Sequence, residues 1–417
     1  MLAQFYPPTI GGEEQHVRNL SLGLVARGHD VAVATFGHAG LPAYEDDQGV
    51  RVYRVHGLIE KMDRLHSDPS RRHAPPCPDP GVVGALQRVI ARERPDVVHA
   101  HNWLVHSFVP LKPWSKARLA LTLHDYGLRC AQKRLMYHGA TPCSGPGLFK
   151  CLGCAADKYG AMVGVPTTLA NWVMGVPERA AVDMFVPVSN AVAVGNGLVG
   201  ADLPYDVIPN FVPDSVADLH GGVESLLDEL PDEDFILFVG DLDRDKGVHI
   251  LLEAYSELED APPLVLIGRP RAGTPTVFPP NVVVRTNWPH DAVMGAWSRS
   301  MLAVVPSVVP DSCPTVAIEA MATGRPVIAS NIGGLTDQVV EGETGLLVPP
   351  NDPAALRAAL ERLLADPSLR EKMGRAAKRK AVEFMAGTVV PRIEQMYRDL
   401  LADGPPRTGR SGRQYAG

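Results

Sequence analysis

The sequence has no uninterrupted apolar run of transmembrane length, and its first residues lack a positive start followed by an apolar core. It also has no excess of basic residues: the formal net charge is −7, so nucleic acid is not an expected partner. Tyr159 to Pro177 carries no charge, but prolines and glycines interrupt it, and at most peripheral membrane contact is expected there. We therefore expect a soluble, cytoplasmic protein.

Apolar strand-like runs alternate with helical patterns along most of the 417 residues. Runs such as VAVATF (Val31 to Phe36) and FILFVG (Phe235 to Gly240) are continuous rather than alternating, which predicts parallel sheets covered by helices on both faces. The predicted fold class is α/β, with two doubly wound Rossmann-like domains. Ligands of such sheets bind beyond the carboxyl ends of the strands, so we expect two facing domains with an interdomain cleft.

The predicted N-terminal domain spans residues 1–212 and contains a cysteine-rich excursion at 130–154. The predicted C-terminal domain spans 213–384, and a helix at 385–403 could pack back on the N-terminal domain. The composition of 404–417 predicts a disordered tail. The first apolar run, LAQFY, leaves only about half of a usual strand of five or six residues. We therefore expect the native chain to start upstream of Met1.

The stretch from Pro306 to Gly334, PSVVPDSCPTVAIEAMATGRPVIASNIGG, contains two carboxylates that predict a binding site. Glu319 lies in an apolar helical segment, where a carboxylate is rarely buried without a partner. Asp311 lies in the loop that precedes this helix. We expect both to bind a polar, phosphate-bearing small molecule. The alternatives are a Glu319 paired with a nearby arginine such as Arg325, and an Asp311 that only caps the helix.

The loop itself predicts where this helix begins. Ser312 and Cys313 are placed at the helix start and Pro314 in the first turn, where proline is tolerated. Free amides at a helix N-terminus attract anions, so this start is predicted to contribute to the same site.

Lys246 follows an apolar strand and precedes a helix, which is where phosphate-binding residues are found. A solvated loop lysine is the alternative. Arg244 in the same loop is a further candidate, for which an exposed loop arginine is an equally plausible interpretation. Gly11 and Gly12 precede the first helix and allow close backbone approach to a phosphate, although two glutamates follow them at once. A simple turn would also explain them.

Two further groups of residues have candidate roles. His124 follows the strand LALTL and is predicted to point into the cleft, although a histidine satisfied within the strand end is the alternative. Cys130, Cys143, Cys151 and Cys154 include one C-x-x-C pair, and four thiolates could complete a tetrahedral structural zinc site. Reduced structural thiols or disulfides are the alternatives.

The stretch from Pro306 to Gly334, with a carboxylate, seven residues and a glutamate, resembles the signature of glycosyltransferase family 4, retaining enzymes of the GT-B fold. Further segments agree with that family in order: FYPPTIGGEEQHV, LTLHDY, VPVSNAV, VIPNFV, FVGDLDRDKGVHILLEA and GETGLLVPPND. The resemblance covers nearly the whole chain.

The resemblance implies a nucleotide-sugar donor held mainly by the second domain and an acceptor bound by the first. It implies that Glu319 holds the ribose, Asp311 the transferred sugar and Lys246 the phosphates. His124 would assist at the sugar. The family often has arginine where this chain has Asp241, and an aspartate would repel a diphosphate; Arg244 could supply the missing cation.

The predicted site therefore has two overlapping sets of residues. The catalytic set is His124, Lys246 and Asp311. The donor-binding set is Gly11, Gly12, Asn210, Arg244, Lys246, Asp311, Ser312, Cys313, Pro314, Thr315 and Glu319.

These residues predict a retaining glycosyltransferase that moves a sugar from a nucleotide diphosphate to an acceptor hydroxyl of a sugar, lipid-linked or small-molecule acceptor, in glycan or glycoconjugate biosynthesis. A sugar-nucleotide epimerase of the same architecture and a non-catalytic nucleotide-sugar-binding protein are the alternatives. A nicotinamide dehydrogenase is disfavoured because no G-x-G-x-x-G follows a strand. The sequence DLD at Asp241–Asp243 looks like the metal-binding Asp-x-Asp motif of the other glycosyltransferase fold. The fold predicted here is different, so a solvated acidic loop is expected, and we expect no obligatory metal for catalysis.

Overall fold

The computed structural model of this chain describes residues 1–8, 11–38, 40–58, 73–218, 223–271 and 273–403. By their internal contacts the residues form two compact units: Met1–Pro209 together with Val390–Gly417, and Asn210–Val389. The predicted domain limits at residues 212 and 384 stay predictions. The predicted tail at 404–417 lies outside the described residues.

The first unit is built on a seven-stranded sheet whose spatial order is β3-β4-β2-β1-β5-β6-β9. Every pairing is parallel except that of the edge strand β3 with β4. The strands are β1 (Leu2–Ala3), β2 (Ala32–Phe36), β3 (Tyr44–Asp47), β4 (Val50–Val55), β5 (Val97–His101), β6 (Arg118–Leu123) and β9 (Met184–Pro187). The predicted parallel sheet is therefore present, with an antiparallel edge strand that the continuous-run pattern did not predict.

Helices flank this sheet and continue into an excursion after β6. They are α1 (Gly12–Ala26), α2 (Pro80–Glu93), α3 (Val105–Phe108), α4 (Leu148–Tyr159), α5 (Ala161–Ala181), α6 (Asn190–Gly195) and, from Val390 onward, α14 (Ala386–Asp403). The excursion also holds a small antiparallel hairpin of β7 (Met136–Tyr137) and β8 (Thr141–Pro142). No helix among the described residues is both long and apolar enough to cross a membrane.

The end of the chain is part of the first unit through its packing on α1. Val390 lies against Gly23, where an added Cβ would come within 3.2 Å of the valine side chain. The buried Glu394 carboxylate pairs with Arg27 and His29. Tyr397 reaches β5, where its hydroxyl lies 2.6 Å from His99 Nδ1.

The second unit contains a six-stranded, fully parallel sheet in the order β12-β11-β10-β13-β14-β15. The strands are β10 (Ile236–Val239), β11 (Leu264–Ile267), β12 (Val282–Arg285), β13 (Leu302–Val305), β14 (Val327–Ser330) and β15 (Gly345–Val348). The helices are α7 (Glu224–Leu227), α8 (Val248–Ser256), α9 (His290–Arg299), α10 (Thr315–Ala322), α11 (Leu335–Gln338), α12 (Pro353–Ala365) and α13 (Pro367–Ala381).

Three helices begin at the same local sequence, an aspartate followed by proline. Asp79, Asp352 and Asp366 each accept a hydrogen bond from a backbone N–H in the first turn, and the proline that follows needs no such partner. An aspartate cap of this kind stabilises a helix by about 0.5–2 kcal/mol relative to alanine.

The order of the second sheet determines which loops meet. Strands β10, β13 and β14 are neighbours, and parallel strands end at the same edge. The loops after these strands are therefore brought together although they are far apart in sequence. They carry Lys246, Asp311 and the Gly333–Gly334 pair.

Candidate active site

Lys246 and Asp311 form the centre of the polar cluster in the second unit. Lys246 Nζ lies 2.7 Å from Asp311 Oδ1 and 2.9 Å from Oδ2. Burial lowers the pKa of Lys246, but the Asp311 carboxylate outweighs it and the net shift is upward. The lysine is therefore a permanent cation, and the structure joins two residues that the sequence placed in separate motifs.

Asp311 is held in place by the loops on either side of it. Ser307 Oγ donates to Asp311 Oδ2 at 2.6 Å, and the Gly334 amide donates to the Asp311 carbonyl at 2.6 Å. Gly333 has a φ of +63°, and a Cβ there would overlap the Asp311 backbone. Glycine is therefore required at this position by both conformation and space.

The lysine loop makes a similar close approach. Asp243 Oδ1 accepts from the Lys246 amide at 2.9 Å, which closes the loop before α8. Gly247 has a φ of +75°, and a Cβ there would overlap the carbonyl oxygen of Pro306. Only glycine lets the loop after β10 lie directly against the end of β13, and this contact positions Lys246 beside Asp311.

The helix after Asp311 begins one position later than expected. Pro314 is the residue that precedes α10, with extended backbone, and Thr315 is the first helical residue. The placement of Pro314 in the first turn was therefore wrong. Ser312 and Cys313 lie in the loop, not at the helix start.

Cys313 is structural rather than reactive. Burial raises the pKa of its thiol to about 12, so the sulfur is protonated at neutral pH. Gln338 Nε2 lies 3.2 Å from its sulfur, and Asn210 Nδ2 donates to its carbonyl at 3.1 Å. The Asn210 Oδ1 atom is buried and makes no hydrogen bond with the described residues.

Glu319 has a partner that the sequence did not suggest. His290, at the first turn of α9, places Nε2 3.1 Å from Glu319 Oε1, and the hydrogen bond raises the pKa of His290. The Glu319 side chain is 9% exposed, while that of His290 is half exposed. Arg325, the expected alternative partner, instead donates to the carbonyl of Ser298 at 2.6 Å.

Asp241 lies between two arginines of the neighbouring β-strand loop. Arg269 Nε lies 3.0 Å from one carboxylate oxygen and Arg271 Nε 2.9 Å from the other. Two guanidinium groups thus face one carboxylate, leaving the local charge positive. Both arginines follow the carboxyl end of β11, and the rule that identified Lys246 could have identified them.

The backbone conformation at Gly11 and Gly12 in the first unit does not require glycine. Gly11 has a φ of 172°, which any residue adopts, and a Cβ at Gly12 would meet none of the described residues within 4 Å. Among the described residues, no side chain therefore blocks the backbone at Gly12.

Glu13 follows this glycine pair and does not carry the charge that its residue type suggests. Burial raises the pKa of Glu13 to about 8, so the carboxyl group is mostly protonated at neutral pH. Asn102 Nδ2 donates to its Oε2 at 2.8 Å, while Oε1 is buried without a hydrogen bond to the described residues. The expected repulsion between this side chain and an anion is therefore weakened.

His124 belongs to a group of histidines at the carboxyl ends of β5 and β6. His101 Nδ1 lies 2.9 Å from His124 Nε2, and the two rings stack with centroids 5.2 Å apart. His16 of α1 meets the His124 ring edge-on at 5.0 Å. Burial lowers the pKa of His16 and His101 well below the usual value, so both rings are neutral.

This histidine group has a geometric property of its own. Among the described residues, His16, His101 and His124 bring three ligand atoms within 4.8 Å of one another. The sequence prediction included only His124. Its two neighbours come from a helix and another strand, so only the fold brings them together.

Comparisons with known proteins agree with these two units. A model described as Glycosyltransferase Family 4 matches residues 10–144, and one described as Glycosyl transferases group 1 matches residues 227–380. The chain is 27% identical over 425 residues to glycogen synthase of Mycobacterium tuberculosis, covering 95% of this chain and 93% of that protein.

Solved structures share the fold. Sucrose-phosphate synthase from Thermosynechococcus elongatus matches with a TM-score of 0.72 and 23% identity, over 96% of this chain and 98% of that one. Anabaena HepE in complex with UDP-glucose matches with a TM-score of 0.66 and 15% identity, over 96% and 99%.

The fold and these matches define a glycosyltransferase with the GT-B fold. Within that class, the chain belongs to glycosyltransferase family 4. The predicted family, fold class and enzyme class are therefore confirmed.

Proposed function

We propose that this glycosyltransferase moves a hexose from a nucleoside diphosphate sugar to an acceptor hydroxyl, with retention of the anomeric configuration. The observation that carries the proposal is the cluster at the carboxyl edge of the second sheet. There Lys246 pairs with Asp311, and α10, the helix after the Asp311 loop, carries a second carboxylate, Glu319. This is the mixture of charges that a phosphorylated sugar needs from its site.

In this proposal, Lys246 and Asp311 exchange partners when the donor binds. Lys246 turns from the carboxylate to the diphosphate, and Asp311 accepts hydrogen bonds from sugar hydroxyls. The Ser307 bond to Asp311 holds the carboxylate in place during the exchange. The lysine then stabilises the negative charge that develops on the diphosphate as the sugar bond breaks.

Glu319 is assigned to the ribose of the donor nucleotide. A carboxylate can accept hydrogen bonds from two neighbouring hydroxyls, and the His290 bond to Oε1 leaves Oε2 available for such contacts. His290 fixes the orientation of the carboxylate. Asp241 is not expected to repel a diphosphate, because Arg269 and Arg271 both pair with its carboxylate. Arg244 stays a further candidate in the same loop.

The proposed reaction is a front-side displacement. The acceptor oxygen forms a bond to the anomeric carbon on the face from which the diphosphate leaves, while the bond from that carbon to the phosphate oxygen breaks. The acceptor proton passes to the departing phosphate oxygen. The buried thiol of Cys313 is protonated and cannot serve as a nucleophile instead.

His124 is assigned to hydrogen bonding with the transferred sugar. Its bond to the neutral ring of His101 restricts its orientation and its tautomer, because one of the two facing nitrogens must donate and the other accept. Gly11 and Gly12 are assigned to backbone contact with the donor, since no described side chain blocks the backbone at Gly12.

A donor screen followed by product analysis tests this function. UDP-glucose is the first donor to test, because HepE was solved with it. A bound donor at a hundred times its dissociation constant should stabilise the chain by about 2.7 kcal/mol. The glycoside formed from that donor should have the donor's anomeric configuration by NMR. An inverted product would refute retention, and donor conversion without any acceptor would favour the epimerase.

We further propose that catalysis needs no divalent metal. Brief treatment with EDTA should leave the initial transfer rate unchanged, and added magnesium or manganese should not raise it. A rate abolished by EDTA and restored by either ion would refute this part of the proposal.

A further inference from the structure

The excursion that follows β6 is poorly stabilised by apolar packing. Within residues 129–160, all of which the structure describes, the buried apolar side chains are Ala131, Met136 and Ala155. Phe149 is 85% exposed, and the two strands of the hairpin have two residues each. Small segments with so little core usually need a cross-link or a metal to hold them together.

Four cysteines lie at the joints of this segment. Cys130 lies in the first turn, where its amide donates to the carbonyl of Tyr126. Cys143 directly follows β8, and its amide donates to the carbonyl of Leu135. Cys151 and Cys154 are one helical turn apart on α4. None of the four forms a disulfide. A turn, a hairpin and a helix thus each contribute thiols to one region.

The four thiols are neighbours. Cys143 Sγ lies 3.4 Å from the Gly145 carbonyl oxygen, and the Gly147 amide of the same loop lies 3.4 Å from Cys151 Sγ. Cys154 Sγ lies 3.7 Å from the carbonyl oxygen of Met136 in the hairpin and 3.1 Å from the side chain of Gln132, two residues after Cys130. The four cysteines therefore belong to one region of the segment.

Nitrogen donors point at two of the sulfurs. The Gly147 amide lies 3.4 Å from Cys151 Sγ and the His138 amide 3.2 Å from Cys154 Sγ. Gln132 Nε2 lies 3.1 Å from Cys154 Sγ as well. A neutral thiol is a weak acceptor, whereas a metal-bound thiolate attracts such N–H groups. These amide contacts would strengthen if a metal held Cys151 and Cys154 as thiolates.

We propose that Cys130, Cys143, Cys151 and Cys154 bind one structural zinc ion. The sulfurs do not all lie within 4.8 Å of one another in this structure. Zinc holds each sulfur at about 2.3 Å, so it would bring them to about 3.8 Å apart and tighten the segment. The site cross-links the hairpin and α4 to the turn six residues after His124. Its role is to hold this segment, and it is independent of the donor chemistry.

Metal analysis of the whole chain, purified without a histidine tag and without chelator, tests this site. We expect about one zinc per chain by elemental analysis. The double variant Cys151→Ser with Cys154→Ser should lose it. The matched control Cys77→Ser removes a half-buried cysteine outside the four and should keep the metal.

Two further measurements on the unmutated chain keep the test valid if the double variant does not fold. Cobalt substituted for zinc should give the sulfur-to-metal charge-transfer absorption of tetrahedral thiolate ligands. A chelator strong enough to remove the metal should make four thiols newly reactive and open residues 130–159 to proteolysis.

Several results would overturn the proposal. They are a chain without zinc, an iron–sulfur absorption spectrum, zinc retained in the folded double variant, or cobalt bound without sulfur charge transfer. In the last case, His16, His101 and His124 would be the first alternative ligands to test by substitution. None of these measurements depends on transferase activity, so their failure is distinct from failure of the proposed function.

Discussion

Lys246 Nζ donates to both carboxylate oxygens of Asp311, at 2.7 and 2.9 Å. The proposed mechanism assigns these two side chains to different parts of one donor, the phosphates and the sugar. Donor binding must therefore separate them, and each residue restrains the other until then. Variants of the pair should consequently affect the nucleotide and the sugar differently.

Asp311→Asn is expected to separate sugar recognition from phosphate binding. Loss of the carboxylate should lower kcat/KM by about 100-fold, a usual effect for one transition-state contact. The affinity for the nucleoside diphosphate alone should stay equal or increase, because Lys246 no longer has to leave an anionic partner. Calorimetry with the donor and with its nucleotide measures both. An equal loss of affinity for the two ligands would refute the assignment.

Lys246→Ala serves as the complement of that variant. This variant should bind the nucleotide and the donor sugar nucleotide less tightly, by a similar factor. Lys246→Arg should recover part of the lost affinity because it keeps the positive charge. Lys372→Ala, an exposed lysine on α13, is the matched control for removing a surface lysine.

Arg269 and Arg271 are expected to replace the arginine that the family often has at position 241. The double variant to alanine should weaken donor binding about tenfold and reduce its dependence on salt, since partly exposed charges contribute about 1 kcal/mol in all. Asp241→Asn should have the opposite effect and increase the affinity for the donor, because it removes a negative charge. Unchanged affinity in both variants would mean that the two arginines only stabilise the loop.

Glu319→Gln tests the ribose contact with a change in the ligand as its control. The variant should bind the ribonucleotide about tenfold less tightly, the loss of about one charged hydrogen bond. A nucleotide that lacks the 2′ and 3′ hydroxyls should bind the variant and the unmodified chain equally. If Glu319→Gln lowered the affinity for both nucleotides equally, Glu319 would have only a structural role, in its hydrogen bond with His290.

Glu13 should make the stability of the chain depend on pH. Its pKa is raised from 4.5 to about 8, so the folded chain keeps a proton that the unfolded chain releases between these values. The free energy of unfolding should therefore fall as the pH rises through that window. Glu13→Gln should remove this part of the slope.

Calorimetric Tm values from about pH 5 to about pH 8.5 follow that slope. Glu259→Gln, an exposed carboxylate, is the control and should leave it unchanged. A steeper slope in Glu13→Gln than in the unmodified chain would contradict the protonated carboxyl group.

Local sequence was sufficient to predict several elements. The continuous runs VAVATF and FILFVG form the buried strands β2 and β10, because a parallel strand covered on both faces has no polar side to show. The Asp-Pro pairs begin helices for an equally local reason. By contrast, the edge strand β3 was missed, because YEDD is polar and owes its pairing to β4 alone.

Candidate site residues could be predicted where a local pattern marks them, such as a polar residue directly after an apolar strand or a carboxylate in an apolar helix. Asp311 and Glu319 lie eight positions apart and were found together. His290 was missed, because it lies 29 residues from Glu319 and belongs to a different helix. Arg269 and Arg271 were also missed, although they follow a strand. They lie 28 and 30 residues from Asp241, and no local pattern indicates that they pair with it.

The sequence by itself determined the kind of protein: alternating strands and helices, the family motifs in order, and the residue types at the strand ends. Tertiary structure decided which of these residues meet. Strand order in the second sheet places the loops after β10 and β13 side by side, and this adjacency pairs Lys246 with Asp311. In the first sheet, the pairing of β5 with β6 brings His101 to His124, and α1 adds His16. Burial then determines protonation, leaving the Glu13 carboxyl group mostly protonated and the rings of His16 and His101 neutral. The physical reason is that charge and contact depend on neighbours in space, whereas a sequence pattern records only neighbours along the chain.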